Sequence, residues 1–211
     1  MEKKCNVAKK SIQFQLFSQR QRINFINSIL GIKPCSLIGT INSTKKTNLS
    51  IVNSTFHLGA NPSLVGLIIR PDISPRHTLE NIRDIKKFTI NHVNSDIYQK
   101  AHQTSARYSA DTSEFEATGL TEMYHEDFIA PFVSESNIQL AMNFVREISI
   151  TENATHLIIA EIESVYMKED YLGEDKYANL EKADTICTSG LETYHSISLL
   201  QRLPYAKVPS S

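Results

Sequence analysis

The chain has no tryptophan, only three cysteines and only seven glycines among its 211 residues. Each shortage removes a class of protein. Cys5, Cys35 and Cys187 are odd in number and far apart, so a disulfide framework is not expected, and a reducing compartment is the simpler reading. With no Cys-x-x-Cys pair, thiolate zinc sites and thioredoxin-type chemistry lose their support. The glycines (Gly31, Gly39, Gly59, Gly66, Gly119, Gly173 and Gly190) assemble neither Gly-x-Gly-x-x-Gly nor a Walker loop, which disfavours Rossmann and P-loop proteins.

Long hydrophobic runs are missing too. The most apolar stretches, 64–69 and 157–162, are too short to span a bilayer. The opening MEKKCNVAKK carries charge without an apolar stretch behind it, so a signal peptide is not expected and a cytoplasmic location is. A formal net charge of −1 leaves no global positive field, and neither nucleic acid nor a membrane is expected as partner. None of the seven histidines sits in a close metal-binding spacing, so no metal site is predicted. There is no Gly-x-Ser-x-Gly elbow, and no side-chain nucleophile or other catalytic residue is assigned.

What is present reads as strands with few helices between them. Ser18 caps a helix over 19–30 that Gly31 stops. SLIGTIN (36–42) and NLSIVNSTF (48–56) read as two strands joined by a polar turn. LVGLII (64–69) reads as a strand covered on both faces. Thr78 is placed as the N-cap of a helix to Lys87, followed by a strand at 88–93. Ser95 is placed as the cap of a helix over 96–107, and 114–120 as a short helical turn. Two longer strands span 137–150 and 155–167; 168–183 reads as a charged loop. Short turns imply antiparallel pairing, and a closed barrel decorated with helices fits better than a doubly wound sheet.

Two stretches carry candidate chemistry. Arg70, Arg76, His77 and Thr78 precede or open a helix, and helix-start N–H groups beside a guanidinium suit a phosphate monoester. The same residues also make an ordinary capped helix with a solvated loop. The polar strand 48–56 offers amide and hydroxyl groups to a ring rich in donors and acceptors, and equally makes a rim strand with one wet face. The carboxylates Glu114, Glu116, Glu161 and Glu163 are accounted for by helix or strand faces.

Taken in order, the blocks resemble a known family. NLSIVNSTFHLGANPSLVGLIIRP (48–71), HTLENI (77–82), FTIN (88–91), KAHQTSARY (100–108), SEFEATGLT (113–121), APFVSES (130–136) and GLETYH (190–195) look like the flavin-reductase-like, FMN-binding split-barrel proteins, over roughly residues 24–206. The resemblance implies a mainly β fold, a six-stranded antiparallel Greek-key split barrel with flanking helices. It implies one domain over 1–211 with an N-terminal helical extension at about 1–33, and a homodimer with FMN at or near the subunit interface. Carried over, Asn48 meets the flavin ring edge, while Ser50, Ser54 and Thr55 line the ring. Arg70, His77 and Thr78 hold the phosphate, with Lys100, Thr104 and Ser105 on the same side. Tyr194 and His195 stand near the exposed flavin face, where a nicotinamide stacks.

The implied activity is that of an NAD(P)H-dependent flavin reductase, with hydride transfer from NADH or NADPH to FMN. The electrons would pass on to a small-molecule acceptor or a partner monooxygenase. Some relatives place a Trp near Ser54 and a Lys near Glu114; neither is present here. Alternatives are a flavin-bound electron carrier without efficient NAD(P)H turnover, a non-redox ligand-binding split barrel, and a structural interaction domain.

Overall fold

The computed structural model describes residues 9–71, 77–109 and 112–208. A 3-10 turn (Phe14–Leu16) leads into α1 (Gln19–Ile29), then β1 (Lys33–Pro34), β2 (Ser36–Ile41), β3 (Thr47–Val52), β4 (Thr55–Ala60) and β5 (Ser63–Ile69). Helix α2 (His77–Ile85), β6 (Lys87–His92), α3 (Tyr98–Gln103) and α4 (Glu114–Thr118) follow. The chain continues through β7 (Glu122–Met123), β8 (Phe132–Val133), β9 (Ile138–Ile150) and β10 (Thr155–Met167). A 3-10 turn (Glu169–Tyr171), β11 (Ile186–Ser189) and β12 (Thr193–Ser196) complete it.

Seven strands form one antiparallel sheet in the order β3-β2-β6-β9-β10-β5-β4. β3 and β4 stand at its opposite ends, yet only Asn53 and Ser54 separate them in the chain. Laid flat, the sheet would be roughly 29 Å across, at about 4.8 Å per strand spacing. Three peptide steps reach about 11 Å. The sheet must therefore curl until its ends meet. Ser54 closes the seam: its carbonyl accepts from the Ile68 N–H at 3.3 Å, and its Oγ donates to the Ile68 carbonyl at 2.7 Å. Counted as one bent strand, β3 and β4 leave six antiparallel strands, as the sequence led one to expect. The continuous strand expected over 48–56 is corrected to two, because its halves pair with different neighbours, β2 and β5.

The barrel interior holds Ile38, Leu67, Phe88, Ile90, Met142 and Ile158, closed by Leu79 and Ile82 of α2. A second core of Leu37, Leu49, Val93, Ala101 and Phe115 lies between the outer face of β2–β3 and the helices α3 and α4. β2 is thus buried along its whole length. Gly39 sits at its tightest point: a Cβ there would lie 2.2 Å from the Pro131 carbonyl oxygen and 2.5 Å from Thr89 Oγ1. Burial of β2 on both faces therefore depends on a missing side chain.

Helix α2 is tied down at its far end by charge. Arg83 Nε and Nη2 donate to the two carboxylate oxygens of Glu147 at 2.8 and 2.7 Å, and His156 Nδ1 lies 2.6 Å from Glu147 Oε1. Hydrogen bonds from Arg83 hold the Glu147 carboxyl down at about 2; burial opposes them and His156 adds to them.

Some local expectations change. Helix α2 begins at His77, so Thr78 lies within its first turn and is not the N-cap. The helix expected over 96–107 is only Tyr98–Gln103, and Ser95 does not cap it. Ser95 instead spends its N–H and Oγ on Asp184. The C-terminal region contributes β11 and β12, which join β1 in a three-stranded sheet. Helix α1 matches the reading, with a capping box between Ser18 and Gln21. Among the described residues no helix is long and apolar enough to cross a membrane.

Two outcomes are expected. Gly39→Ala should lower stability by about 1–3 kcal/mol through overpacking, read by chemical denaturation. The folded Glu147 carboxyl titrates at about 2 against an ordinary 4.5, so its contribution is complete above the ordinary value and is lost as pH falls toward the folded one. Glu147→Gln should therefore flatten the pH dependence of unfolding in that window; an unchanged slope would remove the assignment.

Candidate functional site

A cleft of about 500 Å³ opens between the β2–β3 turn and the start of α2. Asn42, Lys46, Asn48 and His77 line one side, with Glu80 and Asp84 further along the helix. Its floor is a buried polar network. Asn48 Nδ2 donates to Thr78 Oγ1 at 3.0 Å and to Thr40 Oγ1 at 3.4 Å, and Asn81 Nδ2 donates to the same Thr40 oxygen at 3.1 Å. These bonds fix the first turn of α2 against β2 and β3. The first-turn N–H groups of a nine-residue helix have no intrahelical acceptors, which makes that end receptive to anions.

Among the described residues the outer edge of β3 has no neighbouring strand, and side chains replace one. The Leu49 N–H donates to Glu114 Oε2 at 2.9 Å, and the Ile51 N–H donates to Thr104 Oγ1, also at 2.9 Å. The Thr104 hydroxyl itself donates to the Ala101 carbonyl at 2.8 Å. Burial raises the Glu114 carboxyl, while the Leu49 N–H and the nearby His77 oppose that rise. Glu114 is therefore a buried edge cap, a role that local sequence reading assigned to an ordinary helix face.

The other anticipated residues are dispersed. Ser50 lies half-buried opposite Ile38, and Thr55 is buried at the start of β4. Arg70 is exposed after β5. Its charge reaches Lys33, whose amine is lowered first by burial and then by Arg70. No hydrogen bond or ion pair joins Arg70 to His77 or Thr78 among the described residues; Arg76, read with them, lies outside those residues, as does Cys5. Lys100 Nζ donates to the Gly119 carbonyl at 2.8 Å, and Ser105 Oγ to the His102 carbonyl at 2.7 Å.

Tyr194 and His195 border a second cleft of about 240 Å³ with Ser95, Tyr98, Ile186 and Ser196. The Tyr194 hydroxyl lies 2.7 Å from His102 Nδ1, and its ring is 5.5 Å from that of Tyr98. Burial, then the proximity of Cys35 and Glu192, pushes the phenol up to about 12. His195 Nε2 is 2.8 Å from Ser189 Oγ. The fold thus gathers Asn48, His77 and Thr78 at one cleft and Tyr194 and His195 at another. Ser54, Lys100, Thr104 and Ser105 hydrogen-bond within the fold. Lys46, Glu80, Asn81 and Asp84 of the first cleft and His102 behind the second were missed, because only the fold sets them beside the motif residues. No group of three or more metal-ligating side chains occurs among the described residues.

A six-stranded antiparallel barrel with a polar cleft at the start of one helix defines the split-barrel class. Within it, the chain belongs to the flavin reductase like domain family, whose model matches residues 32–182. It is similar to a split-barrel protein from Shewanella frigidimarina NCIMB 400, assigned as a flavin reductase, at 49% identity and TM-score 0.89, covering 92% of this chain and 96% of that one. The nitrilotriacetate monooxygenase component B of Bacillus cereus shares the fold at 19% identity and TM-score 0.83, with 93% and 100% covered. So does the flavoredoxin of Desulfovibrio vulgaris (Miyazaki F), at 18% identity and TM-score 0.75, with 94% and 98% covered.

Thr104→Val keeps the shape but removes the acceptor of the Ile51 N–H, so stability should fall by about 1–3 kcal/mol. Thr104→Ser should recover most of the loss. Urea unfolding of both variants checks this.

Proposed function

We propose that this protein binds FMN and reduces it with NADH or NADPH, as a flavin-reductase-like oxidoreductase working in the cytoplasm as a homodimer. The observation that carries this reading is the cleft at the start of α2, in a chain of the flavin reductase like family.

The residues present fit a phosphate-bearing ligand with a hydrogen-bonding ring. The cleft has the volume of a small-molecule site. The helix-start N–H groups, His77 and Lys46 favour an anion on one side. Glu80 and Asp84 disfavour it on the other, which orients the phosphate toward the beginning of the helix. Arg70 has an exposed guanidinium without an ion-pair partner among the described residues, and it would join His77 and Thr78 as a phosphate ligand. Lys100, whose ammonium keeps two N–H donors beyond its bond to the Gly119 carbonyl, would complete that side, with Thr104 and Ser105 placing it from the same helix end while their own donors stay on the Ala101 and His102 carbonyls. Asn48, Ser50, Ser54 and Thr55 would follow the ring along β3 and β4.

When bound, FMN supplies the hydride-accepting centre, and no side chain need act as a nucleophile. The chain's work is placement. Asn48 is immobilised by Thr40 and Thr78, so its amide stands at the cleft floor without reorganisation. Tyr194, held by His102, and His195, held by Ser189, would border the space for the nicotinamide.

The outer face of the long hairpin supports the two-subunit reading. The pairing registers set Phe56, Ile68, Leu157 and Ile148 on one side of β4–β5–β10–β9. Phe56 and Ile148 are each 40% exposed there. Uncovered apolar surface of this kind marks an interface. Reduced flavin would then serve a small-molecule acceptor or a partner monooxygenase, as the similarity to a monooxygenase component B suggests.

The test is a visible spectrum of the protein with FMN, followed by NADH or NADPH without oxygen. A bound-flavin spectrum that bleaches is expected, and Arg70→Ala should weaken FMN binding by about tenfold through one lost charge-assisted contact. A protein that stays colourless with added FMN would sink the reading. One that binds FMN but does not bleach would point to an electron carrier.

A further inference from the structure

Charge is distributed unevenly along this chain. Residues 3–71 contain ten of the 22 Lys and Arg residues and none of the 23 Asp and Glu residues; residues 72–211 hold twelve bases and 22 acids. A net charge near zero therefore hides a basic first third and an acidic remainder.

The basic third begins with an arm that its own chain barely covers. No residue of α1 is buried. Ile23, Ile29, Leu30 and Ile32 are 43%, 55%, 71% and 57% exposed. Arg20 and Arg22 are exposed, and neither has a partner among the described residues. Among the described residues α1 touches the preceding 3-10 turn and β11, and Lys33 Nζ donates to the Asn27 carbonyl at 3.1 Å. The family model begins at residue 32, while the Shewanella frigidimarina protein is matched over 92% of this chain.

A complement exists on the same molecule. Residues 169–184 carry six carboxylates and two lysines. Glu169 and Glu174 are exposed and have no partner among the described residues, and Tyr177 and Leu180 stand exposed beside them. This segment leads directly into β11, the strand that α1 touches.

We infer that the arm of residues 9–32 is a clasp that docks its basic, apolar-studded helix onto the acidic 169–184 segment of a second copy of this chain. The inference rests on the two-subunit reading above and adds to it the surface and its charges. Two-fold contacts are reciprocal, so a basic and an acidic patch flanking one strand are satisfied twice by one axis beside that strand. An anionic lipid surface is a poorer match, because a bilayer approached by α1 would also meet the neighbouring carboxylates.

The test uses the full chain in sedimentation experiments at about 50 mM and about 500 mM salt, either side of strong screening. Arg20→Glu/Arg22→Glu should weaken the dimer by about tenfold or more at low salt, as should Glu169→Lys/Glu174→Lys. The chain carrying all four substitutions should return to near wild-type affinity, since the swapped charges pair again. Circular dichroism should be unchanged in every variant, which separates lost docking from lost folding. Unchanged dimer affinity in the arginine variant would overturn the clasp while leaving the dimer and the flavin reading intact. Weakening without recovery in the four-fold variant would overturn the acidic segment as its seat. Arginine-dependent binding to phosphatidylserine vesicles with an unaltered dimer would reassign the arm to a membrane. A wild-type chain that is monomeric throughout would remove the two-subunit reading itself.

Discussion

The seam at Asn53–Ser54 is the constraint on which the rest of the structure depends. Two residues link the opposite ends of a seven-stranded sheet, so the sheet has no choice but to close. Closure creates an interior for Ile38, Phe88 and Met142, and it creates a mouth that α2 covers with Leu79 and Ile82. It also sets the β2–β3 turn beside the start of α2, which is what makes the cleft. The hydroxyl of Ser54 is spent on this seam, bonded to the Ile68 carbonyl.

Closure leaves a second problem, which the chain solves with side chains. Among the described residues β3 has β2 on one side and no strand on the other, and an open edge exposes backbone donors. Glu114 and Thr104 accept from Leu49 and Ile51 and so bind α3 and α4 to the barrel. The strand proposed to follow the flavin ring is therefore held by a buried carboxylate and a buried hydroxyl from two short helices. A rigid wall of this kind lets hydrogen-bonding groups meet a ligand without rearrangement.

The two clefts are built differently. The first is walled by amides, a lysine, a histidine, two carboxylates and the start of a helix; the second is walled by two tyrosines, a histidine, serines and an isoleucine. The arm and the outer hairpin face keep Ile29, Leu30, Phe56 and Ile148 exposed.

Much of this was legible in the sequence. Apolar patterning and short polar turns identify β2, β5, β6, β9 and β10, and Ser18 and Gly31 bracket α1, because strand and helix periodicity and end signals are local properties of the chain. The ordered motifs pointed to the barrel and to a flavin. The bend at Asn53–Ser54 was not legible, since no local residue pattern says that Thr55 will pair with Leu67 while Val52 pairs with Ser36. Nor was the role of Glu114, whose carboxylate caps a strand 65 residues away, or that of Arg83, which meets Glu147 only once the barrel mouth has formed. Sequence by itself determined which faces are apolar and which segments are strands. Only the tertiary structure decided which hydroxyls and carboxylates are consumed in holding the barrel shut, because partners that far apart in the chain meet only through the register of a closed sheet.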